Sequence, residues 1–192
     1  MRLPMRRFQM RRLQAEDGFG LIELMIAVTI LTVALLALAA GYDQAFLSLH
    51  RASTKSVATT LADRQLELYR SLAYDSVGLD QTAYADATTV GGAGYDSTYA
   101  ADAAAIAASD PVDATTATIA GCGSAAQCSP VQSVVGTDGR TYRVESFVRN
   151  VPESVTGVSW AELVATVVVR DPGQAGDPEI VRETSAFDRS NG

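Results

Sequence analysis

Glu23 stands inside an otherwise apolar run, Phe19 to Ala40, where a carboxylate is expensive. A charged side chain at the centre of a bilayer costs on the order of 2.5–3.5 kcal/mol, and less near an interface. A group kept at that cost has a function and a partner, unless it sits close enough to the cytoplasmic end to reach the headgroups. Cys122 and Cys128 are the second feature with chemistry. Their short spacing suits a local disulfide in an exported domain, with two unpaired thiols as the alternative. A zinc site needs about four ligands, and the single histidine, His50, is far away in sequence; no metal is expected. His50 has no evident nucleophile partner for a catalytic triad. Val90–Gly94 lacks the Lys and Ser/Thr of a phosphate-cradling loop, and the aspartates lack calcium-loop spacing. Neither an enzyme nor a cofactor is expected.

The element that carries Glu23 reads as a span. Residues 19–40 measure about 33 Å as a helix, enough for a hydrocarbon core of about 30 Å. Thr29 and Thr32 can bond back to their own helix and leave the span intact. Ahead of it lie Arg2, Arg6, Arg7, Arg11 and Arg12, against Glu16 and Asp17. Residues 1–18 therefore carry +3, which leaves −10 on the rest of a chain whose total is −7. Arginines on the N-terminal side keep that end in the cytoplasm and export the body. The acidic body, with Lys55 as its only lysine, lacks the basic face that nucleic-acid binding usually needs. Three readings compete. A secretory signal has a small-residue cleavage site in Ala37-Leu38-Ala39, but its apolar run is usually about 7–15 residues and holds no carboxylate. A plain membrane anchor explains the length and the arginines but not Glu23. The third reading explains all of them.

The string Gly18-Phe19-Gly20-Leu21-Ile22-Glu23-Leu24-Met25-Ile26-Ala27 closely resembles the cleavage and methylation motif of type IV prepilins, over about residues 1–45. The resemblance implies a peptidase that cuts between Gly18 and Phe19 and methylates the new Phe19 amine. It implies that Glu23 answers the amine of a neighbouring Phe19 during assembly. The implied partners are other pilin subunits, the prepilin peptidase/methyltransferase and the inner-membrane assembly machinery. The implied location is the cytoplasmic membrane, single-pass with the N-terminus in the cytoplasm, and then a periplasmic or extracellular filament. Cutting after Gly18 removes all five leader arginines and places an amine about one turn before Glu23. Pairing the two in low dielectric can fix the axial register of adjacent helices. Leu66–Gly78 is similar, more loosely, to the corresponding stretch of minor pilins known as pilus modification proteins. Where many major pilins have a helix-kinking proline, this chain has Ala39-Ala40-Gly41, and the C-terminal disulfide loop common in major pilins has no counterpart.

No proline occurs between Pro4 and Pro111, and Phe46, Leu49, Val57, Leu61, Leu68 and Leu72 recur mostly at helical spacing. This predicts that the helix continues to Leu72 with one side buried against a domain. Asp75 and Gly78 supply the stop. The zone that follows is rich in Ala, Thr, Asp, Ser and Gly, with no Lys or Arg from 71 to 139. It reads as a surface insertion pinned by Cys122–Cys128, with a short helix over Ala100–Ala108; Tyr84, Tyr95 and Tyr99 either pack it down, the favoured alternative, or offer an adhesive face. Strands are expected at Thr141–Val148, Trp160–Arg170 and Glu179–Phe187, with Tyr142, Val144, either Phe147 or Val148, Leu163, Ala165, Val167 and Val169 facing inward. The fold class is thus α+β: a long N-terminal helix on a small antiparallel sheet, pilin-like. The expected organisation is a basic leader, 1–18; a membrane and filament-core helix, 19–41; an amphipathic helix, 42–75; a loop region, 76–136; and a sheet region, 137–192. The expected function is that of a structural filament subunit, a minor pilin or pseudopilin. A type II secretion or competence pseudopilus component is the near rival, and a secreted or anchored binding domain the distant one.

Overall fold

The computed structural model describes residues 20–109, 114–123, 125–152 and 162–188. The chain divides into two units, residues 1–48 and 49–192. Helix α1, Leu21–Arg70, is one element shared by both, about 75 Å long at 1.5 Å per residue. Gly41 leaves it unbroken. In the first unit every described residue is exposed. There Thr29 Oγ1 donates to the Met25 carbonyl (2.8 Å) and Thr32 Oγ1 to the Val28 carbonyl (2.7 Å), so the two hydroxyls are satisfied inside the apolar stretch, as expected.

In the second unit α1 buries Thr54, Ala58, Ala62, Gln65, Leu66 and Tyr69. These fall at helical spacing, but the face is rotated by about one residue from the stripe of large side chains. Val57, Leu61 and Leu72 pack only at its margin, and Phe46 and Leu49 are 68% and 66% exposed. The expected stripe is corrected accordingly. The centre of the face is alanine because the opposing sheet supplies the bulk, and small residues let the helix lie close to it. Gly136 serves the same closeness: a Cβ there would lie 2.7 Å from Val57 Cγ1 and 2.8 Å from the Tyr142 ring.

The opposing sheet is antiparallel. Strands β5 (Thr141–Val151), β6 (Glu162–Arg170) and β7 (Glu179–Phe187) lie side by side. The other edge of β5 is taken by β2 (Thr115–Thr116) and β4 (Val131–Val135). The third expected strand matches β7 in both ends; Trp160 and Ala161 lie outside the described residues. Side chains alternate faces along a strand. Tyr142, Val144 and Val148 of β5 and Leu163, Ala165, Val167 and Val169 of β6 join the α1 core. Phe147 and Val168 point to the opposite face.

That opposite face is covered by the zone expected to be a loop. A 3-10 turn, Tyr74–Ser76, follows α1. Strand β1 (Leu79–Asp80) pairs in parallel with β3 (Thr118–Ile119), and helices α2 (Gln81–Thr88) and α3 (Ser97–Ser109) lie between them in the chain. Tyr99 is fully buried, stacks on Phe147 at 4.7 Å between ring centroids, and donates its hydroxyl to the Ser146 carbonyl (2.9 Å). Tyr84 meets Tyr99 edge-on. Tyr95 stays 39% exposed. The segment buries few large side chains, but two tyrosines and the alanines between them suffice for a second small core.

The helix face makes a test. Ala62→Leu should destabilise the full-length chain by about 1–3 kcal/mol through overpacking. Phe46→Ala should change stability by less than about 0.5 kcal/mol, since nothing in its own domain covers it. Denaturant unfolding in detergent measures both; the reverse order would move the buried face back to the large side chains.

Candidate functional site

Gly18 and Phe19 lie outside the described residues, and with them the junction itself. The described part of the segment begins at Gly20, whose carbonyl accepts the first helical bond from the Leu24 N–H at 3.1 Å. Glu23 lies in the first turn of α1. An acid there complements the positive end of the helix dipole. Its neighbours Ile22, Leu24, Met25 and Ile26 are between 55% and 74% exposed, so the apolar surface runs around the helix. The most apolar 18-residue window of α1 has a mean hydropathy of 2.6, none of it is buried, and by length and composition it can cross a membrane.

Cys122 and Cys128 are joined in a disulfide, with 6.1 Å between their Cα atoms. They belong to the second unit, Glu23 to the first. The bridged loop is a junction of elements. Its Ala126 carbonyl accepts from both Gln65 Nε2 of α1 and Gln132 Nε2 of β4, each at 2.9 Å. Its Cys128 carbonyl accepts the Asp80 N–H at 2.8 Å. Asp80 in turn caps α2, taking the Ala83 N–H on Oδ1 (2.9 Å) and the Gly123 N–H on Oδ2 (2.7 Å). Those two backbone donors hold its carboxyl below the ordinary range. The capping signal is present in the sequence as Asp80 three residues before Ala83; its second task across the chain is not.

A charged cluster that sequence reasoning missed fastens α3 to the sheet. Asp96 caps α3 by accepting from the Thr98 and Tyr99 N–H groups, both at 3.0 Å, and its other oxygen pairs with Arg143 at 2.6 Å. Asp102, one turn into α3, pairs with Arg170. Between the arginines lies Glu145, fully buried, bonded to Arg143 Nε at 2.7 Å and Arg170 Nε at 3.0 Å. Burial opposes the charge of Asp96, but Arg143 and the two N–H donors outweigh it and keep its pKa low. Burial pushes Glu145 up in spite of both arginines. On the α1 side, Arg140 spans Thr54 Oγ1 (3.2 Å) and Asp171 Oδ2 (2.6 Å). Asp171 too is disfavoured by burial and still held low, by Gln174, the Gly173 N–H and Arg140. On the edge strand, burial and then a hydrogen bond with Asp63 raise Glu183.

Residues 13–39 match the family model described as the prokaryotic N-terminal methylation motif. Neither the curated proteins nor the solved structures yield a match. The matched residues include Gly18, Phe19 and Glu23, and the chain is prepilin-like in this segment.

The carboxylates set a pH profile. Those held low (Asp80, Asp96, Asp171) contribute stability above the ordinary aspartate pKa of about 3.9, lost as pH falls through that range. Those pushed up (Glu145, Glu183) act oppositely: their cost appears as pH rises through the raised folded value and is relieved on acidification. The Tm should therefore rise slightly from pH 7 to about 5 and fall below about pH 4. Glu183→Gln should shrink the rise and spare the fall. A Tm that drops steadily from pH 7 downward would contradict this assignment.

Proposed function

We propose that this prepilin-like chain is a structural subunit, a minor pilin or pseudopilin, of a type IV pilus-like filament. The observation that carries the reading is the coincidence of the methylation-motif match over 13–39 with a helix in which Glu23 is the lone carboxylate of an uncovered apolar stretch. In this reading the chain is stored in the cytoplasmic membrane with its arginines inside. Peptidase action between Gly18 and Phe19 removes the leader and frees an amine, and N-methylation leaves that amine charged. Assembly buries the Phe19–Ala40 surface against neighbouring subunits. Glu23 then meets the amine of an adjacent Phe19, because an unpaired carboxylate in that environment is costly. The leader acts as a brake, since it holds five arginines where the filament interior needs a buried end. The second unit is the part presented outside the membrane. The role is structural, without a reaction of its own.

A minor rather than an abundant subunit is favoured because the bridge that is present, Cys122–Cys128, closes a mid-chain loop rather than the C-terminal one. The conventional signal reading places its cut near Ala39, inside α1.

Mass analysis of the mature N-terminus tests the reading. Methylated Phe19 is expected; a start at Ala40 would replace it with an ordinary secretory protein. Gly18→Leu should leave the leader attached. Glu23→Ala should insert into the membrane normally and appear in sheared filaments at a small fraction of the parental level; undiminished incorporation would refute the register role.

A further inference from the structure

The second unit has a side-chain-sized groove, and the chain carries a fitting plug elsewhere. The groove lies between α1 and β4, holds about 220 Å³, and is lined by Leu61, Leu68, Val134 and Val144 together with Gln65 and Gln132. That volume is below the range of about 300–1,000 Å³ usual for small-molecule pockets. Both amides are already engaged at the Ala126 carbonyl, and Gln132 Nε2 also lies 3.3 Å from Gln65 Oε1. With both amides engaged and four aliphatic side chains in the lining, the groove suits an apolar occupant. At the rim stands Arg64, exposed and without an ion pair among the described residues.

On α1, Phe46 is 68% exposed, flanked on the same face by Tyr42 at 65% and Leu49 at 66%. Asp43 lies three residues before Phe46, one turn toward the N-terminus, and also has no ion pair among the described residues. We infer that the groove of one copy receives Phe46 of a second copy, with Asp43 of that copy paired to Arg64. The inference rests on the filament reading, in which all copies enter one membrane in one direction and their α1 helices run parallel. Helical side chains lean toward the N-terminus. Arg64 therefore reaches toward the turn where Asp43 sits when Phe46 is level with the groove. The cations Arg51 and Lys55 do not line this groove. The two copies would be offset by about 18 residues along α1, roughly 27 Å. This contact is separate from the one assigned to Glu23.

Two differently tagged copies, one Phe46→Cys and one Leu68→Cys, are expressed together in the intact assembly system and treated with a short bismaleimide; the native cysteines are bridged and do not compete. A cross-linked pair carrying both tags is expected. A cross-link to a different protein, or none at all, overturns the inference. Arg64→Asp alone should lower recovery in sheared filaments about two- to fivefold, the scale of one exposed ion pair, and Asp43→Arg on the same chain should restore it. Unchanged recovery in the single variant, or no rescue in the double, also overturns it. The mature N-terminus of every variant is measured alongside. Methylated Phe19 with no cross-link sinks the groove contact alone, whereas an unprocessed chain sinks the filament reading and this inference together.

Discussion

The folded unit depends on how closely α1 lies against β5 and β6. Ala58 and Ala62 have no exposed surface at all, and their small side chains bring the helix backbone near the sheet. Valines at 167 and 169 and Tyr142 then fill the space that larger helix residues would have taken. The glycine at 136 is required on the same ground, since its place beside Val57 has no room for a Cβ. Where the closeness begins, Arg140 ties Thr54 of α1 to Asp171 at the end of β6. Closely packed interiors respond to single methyl groups, so the position of the helix is set within narrow limits.

A sheet packed on one face by α1 would ordinarily turn its other face to water. Here that face is half-occupied by α3, and the charges explain where α3 sits. Glu145 is buried in mid-sheet and draws Arg143 and Arg170 around it; each arginine then holds one aspartate of α3. Buried ion pairs often add little to net stability because desolvation offsets their attraction. Their effect here is positional. Asp96 at the cap of α3 and Asp102 within it meet arginines on neighbouring strands, and a slide of α3 by one turn would break both pairs at once while leaving Glu145 poorly compensated.

What the sequence made legible follows from which signals are local. The strand at Glu179–Phe187 is bounded by Pro178 and a loop signal, and its ends are as read. The inward sets of β5 and β6 follow from alternation alone. On α1 the large apolar side chains mark the margin of the buried face rather than its centre, because a helix pressed on a valine-rich sheet is centred on alanine. The 76–136 zone looked like surface because its composition is poor in large apolar residues, yet helix capping by Asp80 and Asp96 and burial of Tyr99 organise it. Strands β2 and β4 are too short, and too dependent on β5, to announce themselves. Glu23 stands out in the sequence because the cost of a carboxylate in an apolar run is local. The ring of Asp96, Asp102, Arg143, Glu145 and Arg170 does not, because it joins α3 to two strands far along the chain.

The two halves of α1 obey different packing rules, and this bears on how one carboxylate can serve a polymer. In the folded unit the helix buries one face, and its charged residues, Asp63, Arg64 and Glu67 among them, keep to the others. Between Leu21 and Ala40 there is no polar face to retreat to, because the apolar surface surrounds the helix. Glu23 therefore cannot be hidden by rotating the helix; it must be neutralised or kept near water. Within the proposed mature subunit its own Phe19 amine is one turn away, at a spacing where helical side chains meet. On that reading the pairing would make storage in the membrane tolerable. In a bundle of parallel helices a neighbour's amine offers the same charge at the same depth, so exchange of one partner for the other costs little electrostatically. On the proposed filament reading the gain from assembly would come from burying apolar surface, while the ion pair between copies would favour the axial offset at which each carboxylate meets an amine. On that reading a neutral residue at position 23 would keep the first term and lose the second, since only the second needs a charge.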